Sequence, residues 1–414
     1  MLSRVQALNY RCLRYIDLPL LPFQVLIGPN ASGKSSFLDV VNLLGDYVQF
    51  GLDDALLRTY QNPNGRATSL EQLIFNQASS SFELALELKI PENLASKHKY
   101  TRYEVKFGQQ ENGEMMIAAE NLWLYSEELP YSPVVDPKTI LVAPGNQRKP
   151  NQNWHKVVSK NPGSGNDYYK AESTDWNITF KVGARKSSLG GLMQDVEKFP
   201  VSLWVQNLLR EGIHILALNS IAMRRPCSPS ETRNFKVDGS NLPLVVQDLK
   251  RKNPEFLQAW LEHIQTVLPD VETILVQERT EDKHLYLGIK YYSGDNCVPS
   301  WLLSDGTLRM LALTLLAYLP THSGIYLIEE PENGIHPQAI EAVFQSLSSV
   351  YDSQIILATH SPLLLSLAKK EQILCFSKND SGATEIIPGN KHPALENWQN
   401  QISLSTLYAG GVLG

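Results

Sequence analysis

The eight residues Gly28-Pro29-Asn30-Ala31-Ser32-Gly33-Lys34-Ser35 constrain this chain more than any other stretch of it. They match G-x-x-x-x-G-K-[ST], between an apolar strand-like run, Phe23-Gln24-Val25-Leu26-Ile27, and a helical run from Ser36 to Leu44. In that context the glycines let backbone N–H groups turn inward onto phosphate oxygens, and the helix N-terminus adds a favourable dipole. Lys34 is expected to neutralise the β- and γ-phosphates of a nucleotide, and the Ser35 hydroxyl to ligate Mg²⁺.

A second element lies far downstream. The apolar strand Ile325-Tyr326-Leu327-Ile328 runs into Glu329-Glu330, and a buried parallel strand ends at the sheet edge where ligands bind. Glu329 is expected to hold Mg²⁺, and Glu330 to orient or deprotonate the attacking water. A third strand, Gln354 to Ala358, leads into Thr359-His360, where the imidazole of His360 is placed to hydrogen-bond the γ-phosphate or the water. The plain alternative for each is a charged turn or an ordinary histidine after a strand.

Around these motifs the chain alternates short apolar strands (Gly324 to Glu329, Gln354 to Ala358, Gln372 to Phe376) with helical patterns, so the fold class is α/β. With 414 residues it exceeds one ordinary core. Phe82, Leu84, Leu86 and Leu88, and again Leu285, Leu287, Ile289 and Tyr291, alternate as half-buried antiparallel strands do. Residues 126 to 195 are rich in Pro, Gly, Asn and Ser, notably Val142 to Pro150 and Asn161 to Asn166, and read as an irregular insertion. Helices are predicted near Val201 to Arg210, Pro243 to Lys250 and Glu255 to Val267, as a helical lobe. The division expected is therefore 1–125 and 271–414 for the two parts of the head, 126–195 for the insertion and 196–270 for the lobe.

Composition narrows the class. The net charge of −6 argues against coating nucleic acid by bulk electrostatics. Local clusters (Arg224, Arg225, Arg233 and Lys236, or Lys97, Lys99 and Arg102) are either ordinary solvated charge or a strip for nucleic acid. No apolar run approaches the roughly 18 to 20 residues that cross a bilayer, and no secretory signal opens the chain, so no membrane role and a cytoplasmic location are expected. The four cysteines have neither disulfide nor metal-ligand spacing.

Leu303-Ser304-Asp305-Gly306-Thr307, just before the helical run from Leu308, resembles the L-S-x-G signature of ABC-type ATPases, although Ser304 also suits a plain helix N-cap. Together with the loop from Gly28 to Ser35, Glu329-Glu330 and His360, it makes the chain resemble an ABC-like ATPase of the RecF/SMC superclass. The stretches Asn9-Tyr10-Arg11-Cys12-Leu13, Asp238-Gly239-Ser240-Asn241-Leu242, Ile328 to Pro337 and Ala358 to Pro362 narrow the likeness to AAA-type, OLD-like prokaryotic ATPases. The resemblance implies a P-loop NTPase of the ABC-ATPase type, with a mixed sheet, an antiparallel N-terminal β subdomain and a helical lobe. It implies ATP and Mg²⁺ as cofactors, held at Gly28, Pro29, Asn30, Ala31, Ser32, Gly33, Lys34, Ser35 and Ser36.

It further implies that Ser304 and Gly306 of one subunit cap the ATP of another, so that ATP closes a homodimer or higher homo-oligomer. Arg11, on the opening hairpin, either reaches the phosphates or forms a surface salt bridge. The glutamine that usually ligates Mg²⁺ has only Gln72 and Gln77 as candidates, and Glu329 stands where most ABC ATPases have Asp. OLD-type nucleases append a TOPRIM domain, for which the residues after His360 are too few. A stand-alone sensor or switch ATPase is expected, with a separately encoded effector as in antiphage defence; the alternative is a RecF-like ATPase of DNA repair.

Overall fold

The computed structural model describes residues 1–57, 65–95, 97–110, 113–128, 137–142, 154–161, 166–320 and 324–396. In chain order its strands are β1 Leu2–Tyr10, β2 Leu13–Pro19, β3 Phe23–Ile27, β4 Ser81–Lys89, β5 Tyr100–Gln109, β6 Met115–Tyr125, β7 His155–Lys160, β8 Asp167–Lys170, β9 Asn177–Phe180, β10 Ile213–Leu216, β11 Val271–Glu278, β12 Leu285–Tyr291, β13 Cys297–Pro299, β14 Ile325–Glu329, β15 Gln354–Ala358, β16 Ile373–Lys378 and β17 Thr384–Pro388. The helices are α1 Lys34–Phe50, α2 Leu52–Leu56, α3 Pro200–Glu211, α4 Ser220–Met223, α5 Leu242–Lys252, α6 Pro254–Val267, α7 Asp305–Leu315, α8 Pro337–Ser348, α9 Pro362–Leu367 and α10 Pro393–Glu396. They form two compact units: Met1–Pro22 with Gly28–Ile213 and Phe376–Ile387, and Phe23–Ile27 with His214–Cys375 and Pro388–Gly414.

The first unit is an antiparallel sheet in the order β2-β1-β4-β5-β6-β7-β8-β9, with α1 and α3 packed together. A β-carbon on Gly45 of α1 would meet the Leu209 carbonyl oxygen at 2.7 Å, so the helices touch backbone to side-chain-free backbone. The alternating segment at β4 is buried along nearly its whole length rather than half-buried. Its second face is covered by charge. Glu87 accepts from Arg102 at 2.7 Å, Arg102 donates to Glu104 at 2.9 Å and to the Ile140 carbonyl at 2.8 Å, and Lys106 pairs with Glu83 at 3.0 Å. Burial at that density is tolerated because almost every charge has a partner.

Within the segment 126–195, expected to be irregular, the described residues 155–160, 167–170 and 177–180 are strands, and for them that expectation is corrected. Strands β7, β8 and β9 extend the sheet antiparallel from β6. Segments of four to six residues such as Asp167–Lys170 are too short to carry a readable period, and edge pairing makes them strands. The loop 187–189 is drawn in by one carboxylate: Glu120 accepts from Ser187 Oγ at 2.7 Å and from the N–H groups of Ser188 and Leu189 at 2.8 and 2.9 Å. The Pro/Gly-rich signals at 143–150 and 162–165 lie outside the described residues.

In the second unit β14, β15, β3 and the start of β16, Ile373 to Cys375, run parallel in the order β14-β15-β3-β16. Strand β3 is buried throughout, as its unbroken apolar character requires. The three predicted helices form at Pro200–Glu211, Leu242–Lys252 and Pro254–Val267 but make no single lobe. Helix α3 belongs to the first unit, whereas α5 and α6 join the core of the second. Trp260, fully buried on α6, donates its indole N–H to Thr314 of α7 at 3.0 Å. Periodicity shows that a helix has an apolar face; only packing selects what covers it.

Candidate functional site: a phosphate loop and a carboxylate edge

Chain continuity puts the phosphate loop at the carboxyl end of β3. Gly28 has φ of +148°, and a β-carbon there would lie 2.3 Å from the Phe376 carbonyl oxygen, so only glycine fits. Gly33 occupies the N-cap of α1 without any side-chain cap, which leaves the first N–H groups of a 17-residue helix directed at the loop. Lys34 is buried and donates to the carbonyls of Gly28 and Pro29 at 2.8 and 3.0 Å, arching over the loop it belongs to. Pro29, Asn30, Ala31 and Ser35 are exposed. The Ser32 hydroxyl is buried without a hydrogen-bond partner among the described residues.

Uncapped helix N–H groups, an ammonium and a buried hydroxyl without a partner form a donor-rich cradle that matches a phosphate chain. The loop is braced from outside: Thr384 donates to the Ser32 carbonyl at 2.9 Å, and Cys12 Sγ donates to Ser36 Oγ at 3.3 Å.

The carboxylate edge follows from strand register. Glu329 pairs with Ala358, and Ala358 pairs with Leu26, so β14, β15 and β3 end side by side. Glu329 is exposed at that edge. Glu330 takes a left-handed backbone, φ +48°, and its N–H donates to the Ala358 carbonyl at 2.8 Å. The Glu330 carboxylate accepts from Asn333 and lies 4.0 Å from His360 Nε2.

Glu332 belongs to the same edge, although no motif assigns it a role. Its Oε1 accepts from the Thr359 hydroxyl at 2.6 Å and from the His360 N–H at 3.2 Å, and its Oε2 is buried without a partner among the described residues. Glu332 thereby ties the turn after β14 to the turn after β15. Its place in Pro331-Glu332-Asn333 was visible; its partner lies 27 residues on and was not.

Ser304 takes the N-cap position of α7, accepting from the Thr307 N–H at 3.0 Å, and is exposed. Asp305 pairs with Arg224 at 2.6 Å, and Arg224 also donates to the Leu303 carbonyl at 2.8 Å. Gly306 abuts the backbone of Gly334. Glu329 and Glu330 stand at the end of β14 and His360 just after its neighbour β15, while Ser304 and Gly306 sit at the start of a helix in the same unit.

Arg11 takes its salt-bridge alternative. Its guanidinium stands 3.1 Å from Asp39, which also receives the Tyr10 hydroxyl at 2.6 Å and Arg66 at 2.7 Å. Burial, followed by the neighbouring Asp39 charge, pushes the Tyr10 phenol well above its ordinary value, so it remains a donor. Of the basic clusters, Arg224 is held by Asp305, Arg233 lies 3.6 Å from Asp248, Lys236 pairs with Glu231, and Arg102 is buried among carboxylates. These pairings occupy three of the four cations of the first candidate strip and one of the three of the second. Gln72 accepts from the Thr68 N–H at 3.0 Å, and Gln77 has a left-handed backbone.

Residues 238–366 match the family model described as "AAA domain, putative AbiEii toxin, Type IV TA system". The chain is 22% identical to the OLD nuclease of Thermus scotoductus over 98% of its own length and 67% of that protein's. It is similar in structure to an Smc head bound to the C-winged helix domain of ScpA, with TM-score 0.55, 14% identity and coverage of 93% of this chain and 97% of that one. It is also similar to an Smc head with an extended coiled coil bound to the C-terminal domain of ScpA, derived from Pyrococcus furiosus, with TM-score 0.51, 12% identity and coverage of 93% and 95%. The fold is that of a P-loop NTPase of the ABC-ATPase type, shared with the SMC heads, and in sequence the chain is similar to an OLD nuclease. Among the described residues no helix is long and apolar enough to cross a membrane.

Proposed function

We propose that the chain binds and hydrolyses ATP to close two copies of itself head to head, and that the closed form acts as a switch on a separately encoded effector. The observation that carries the reading is the register Glu329–Ala358–Leu26, which sets the carboxylates, the His360 turn and the strand feeding the phosphate loop at one sheet edge. The residues of the loop, Gly28 to Ser36, cradle the triphosphate, with Lys34 as its principal counterion. Ser35 and Glu329 would be the oxygen donors that hold Mg²⁺, which would supply charge neutralisation for the triphosphate. Glu330, oriented by Asn333, accepts the proton of the attacking water, and His360 donates to the γ-phosphate or positions that water.

Ser304 and Gly306 open a helix whose N-terminus is exposed and serves a second chain's phosphate. The likeness to an OLD nuclease and to a family described as a putative AbiEii toxin supports reading the closed form as a switch on an effector in antiphage defence. The location expected for such a switch is the cytoplasm.

The deciding experiment is the solution mass of Glu330→Gln by light scattering, with and without Mg-ATP. A doubling on ATP is expected. A monomer of 46.4 kDa under both conditions, in a protein that still binds ATP, would sink the closure mechanism.

A further inference from the structure

A groove of about 690 Å³ opens beside the first turn of α7, with Ile221, Arg224, Arg225, Arg279, Tyr286 and Trp301 in its walls. The Tyr286 and Trp301 rings lie 4.8 Å apart at 49°, and Trp301 is 45% exposed. The Tyr286 hydroxyl donates to Gln277, which holds its ring in place. Arg279 is held only loosely, 3.6 Å from Asp282, and the Arg225 side chain has no partner among the described residues.

Guanidinium groups around an accessible indole meet both requirements of a nucleobase that carries phosphate. Arg recognises phosphate oxygens in pairs, and any base stacks on the ring face. The volume lies within the range of roughly 300–1,000 Å³ typical of small-ligand sites. Glu281, on the same wall, adds an acceptor for ribose hydroxyls or base amino groups.

We infer that this groove is a second nucleotide site, sharing no residue with the phosphate loop, that takes a free nucleotide with its base on Trp301 and its phosphate on Arg225 and Arg279. Arg224 connects it to α7. That guanidinium lies 2.6 Å from Asp305 and donates to the Leu303 carbonyl, so a phosphate in the groove competes with the first residue of the helix that carries Gly306. In this coupling the inference rests on the proposed function: the groove ligand is the signal to which closure responds.

The test is calorimetric titration of full-length Lys34→Ala protein, without Mg²⁺ or ATP, with AMP, GMP, CMP and UMP in turn, and with a short oligothymidylate. At least one mononucleotide is expected to bind, and Arg225→Ala or Arg279→Ala should weaken it about tenfold or more. Both side chains are exposed, so an unchanged unfolding midpoint in each variant reports an intact fold. No binding, or binding indifferent to both substitutions, overturns the site; binding of the oligonucleotide alone overturns the free nucleotide in favour of a strand. Adding the bound mononucleotide to Glu330→Gln should shift the ATP concentration needed for half-association, and no shift overturns the coupling. Failure of the ATP reading is seen separately, as loss of ATP-driven association with nucleotide binding in the groove intact.

Discussion

A β-carbon on Gly306 would stand 2.2 Å from the carbonyl oxygen of Gly334. The first turn of α7 and the loop after Glu330 are therefore in backbone contact, and the signature segment cannot shift without that loop. Gly306→Ala is expected to destabilise the protein by about 1–3 kcal/mol, since the Gly334 carbonyl is backbone and cannot swing aside. Urea unfolding measures the cost, and ATP turnover should fall more than ATP affinity. An unchanged unfolding curve with wild-type turnover would mean that the contact yields freely.

Lys34→Ala should weaken ATP binding by about 10- to 100-fold, the worth of a charge-assisted contact of about 1.5–3 kcal/mol. The bends at Gly28 and Gly33 come from their positive φ and not from the Lys34 amine, so the loop keeps its shape. Equilibrium binding of a fluorescent ATP analogue checks this, and unaltered affinity would remove the assignment.

Ser304→Arg places a long cation where a second chain's phosphate is proposed to dock. ATP binding by the monomer should stay within about twofold, while association and turnover are lost. Turnover at the wild-type rate in this variant would mean that Ser304 is a helix cap and nothing more.

Glu332→Ala removes the acceptor of both the Thr359 hydroxyl and the His360 N–H. With the His360 turn released, kcat should drop by up to about 100-fold while ATP affinity changes little. Thr359→Val, which leaves the His360 N–H bond to Glu332 but removes the Thr359 donor and the acceptor of the Ser361 N–H, should fall between. Equal losses in kcat and affinity would point to a general collapse of the edge instead.

Arg102→Ala leaves Glu87 and Glu104 buried without their common cation. A loss of about 3–5 kcal/mol is expected in chemical denaturation, because an uncompensated buried charge remains. A loss under about 1 kcal/mol would show that water reaches the cluster once the side chain is cut back.

Much of the candidate site was legible because its motifs are local. A strand, a glycine loop and a helix start occupy consecutive residues, so Gly28 to Ser35 declare their geometry without reference to the rest of the chain. Glu329, Glu330 and His360 could be set at a sheet edge because buried parallel strands read as unbroken apolar runs. Arg11 could not be resolved in this way. Whether its guanidinium reaches phosphate or Asp39 depends on the angle at which a hairpin meets α1, and the structure places it on Asp39.

The sequence by itself determined the α/β class, the phosphate loop, the acidic strand end and the helices from Pro200 to Val267, since each depends on periodicity or on a few adjacent residues. Tertiary structure alone decided that 155–180 continues the antiparallel sheet, that α3 and α6 go to different cores, and that Glu332 holds the His360 turn. It also decided that Arg224 serves Asp305 rather than a free basic strip. These outcomes depend on pairing and partner choice across long separations, where side-chain chemistry permits several answers and only the packed chain selects one.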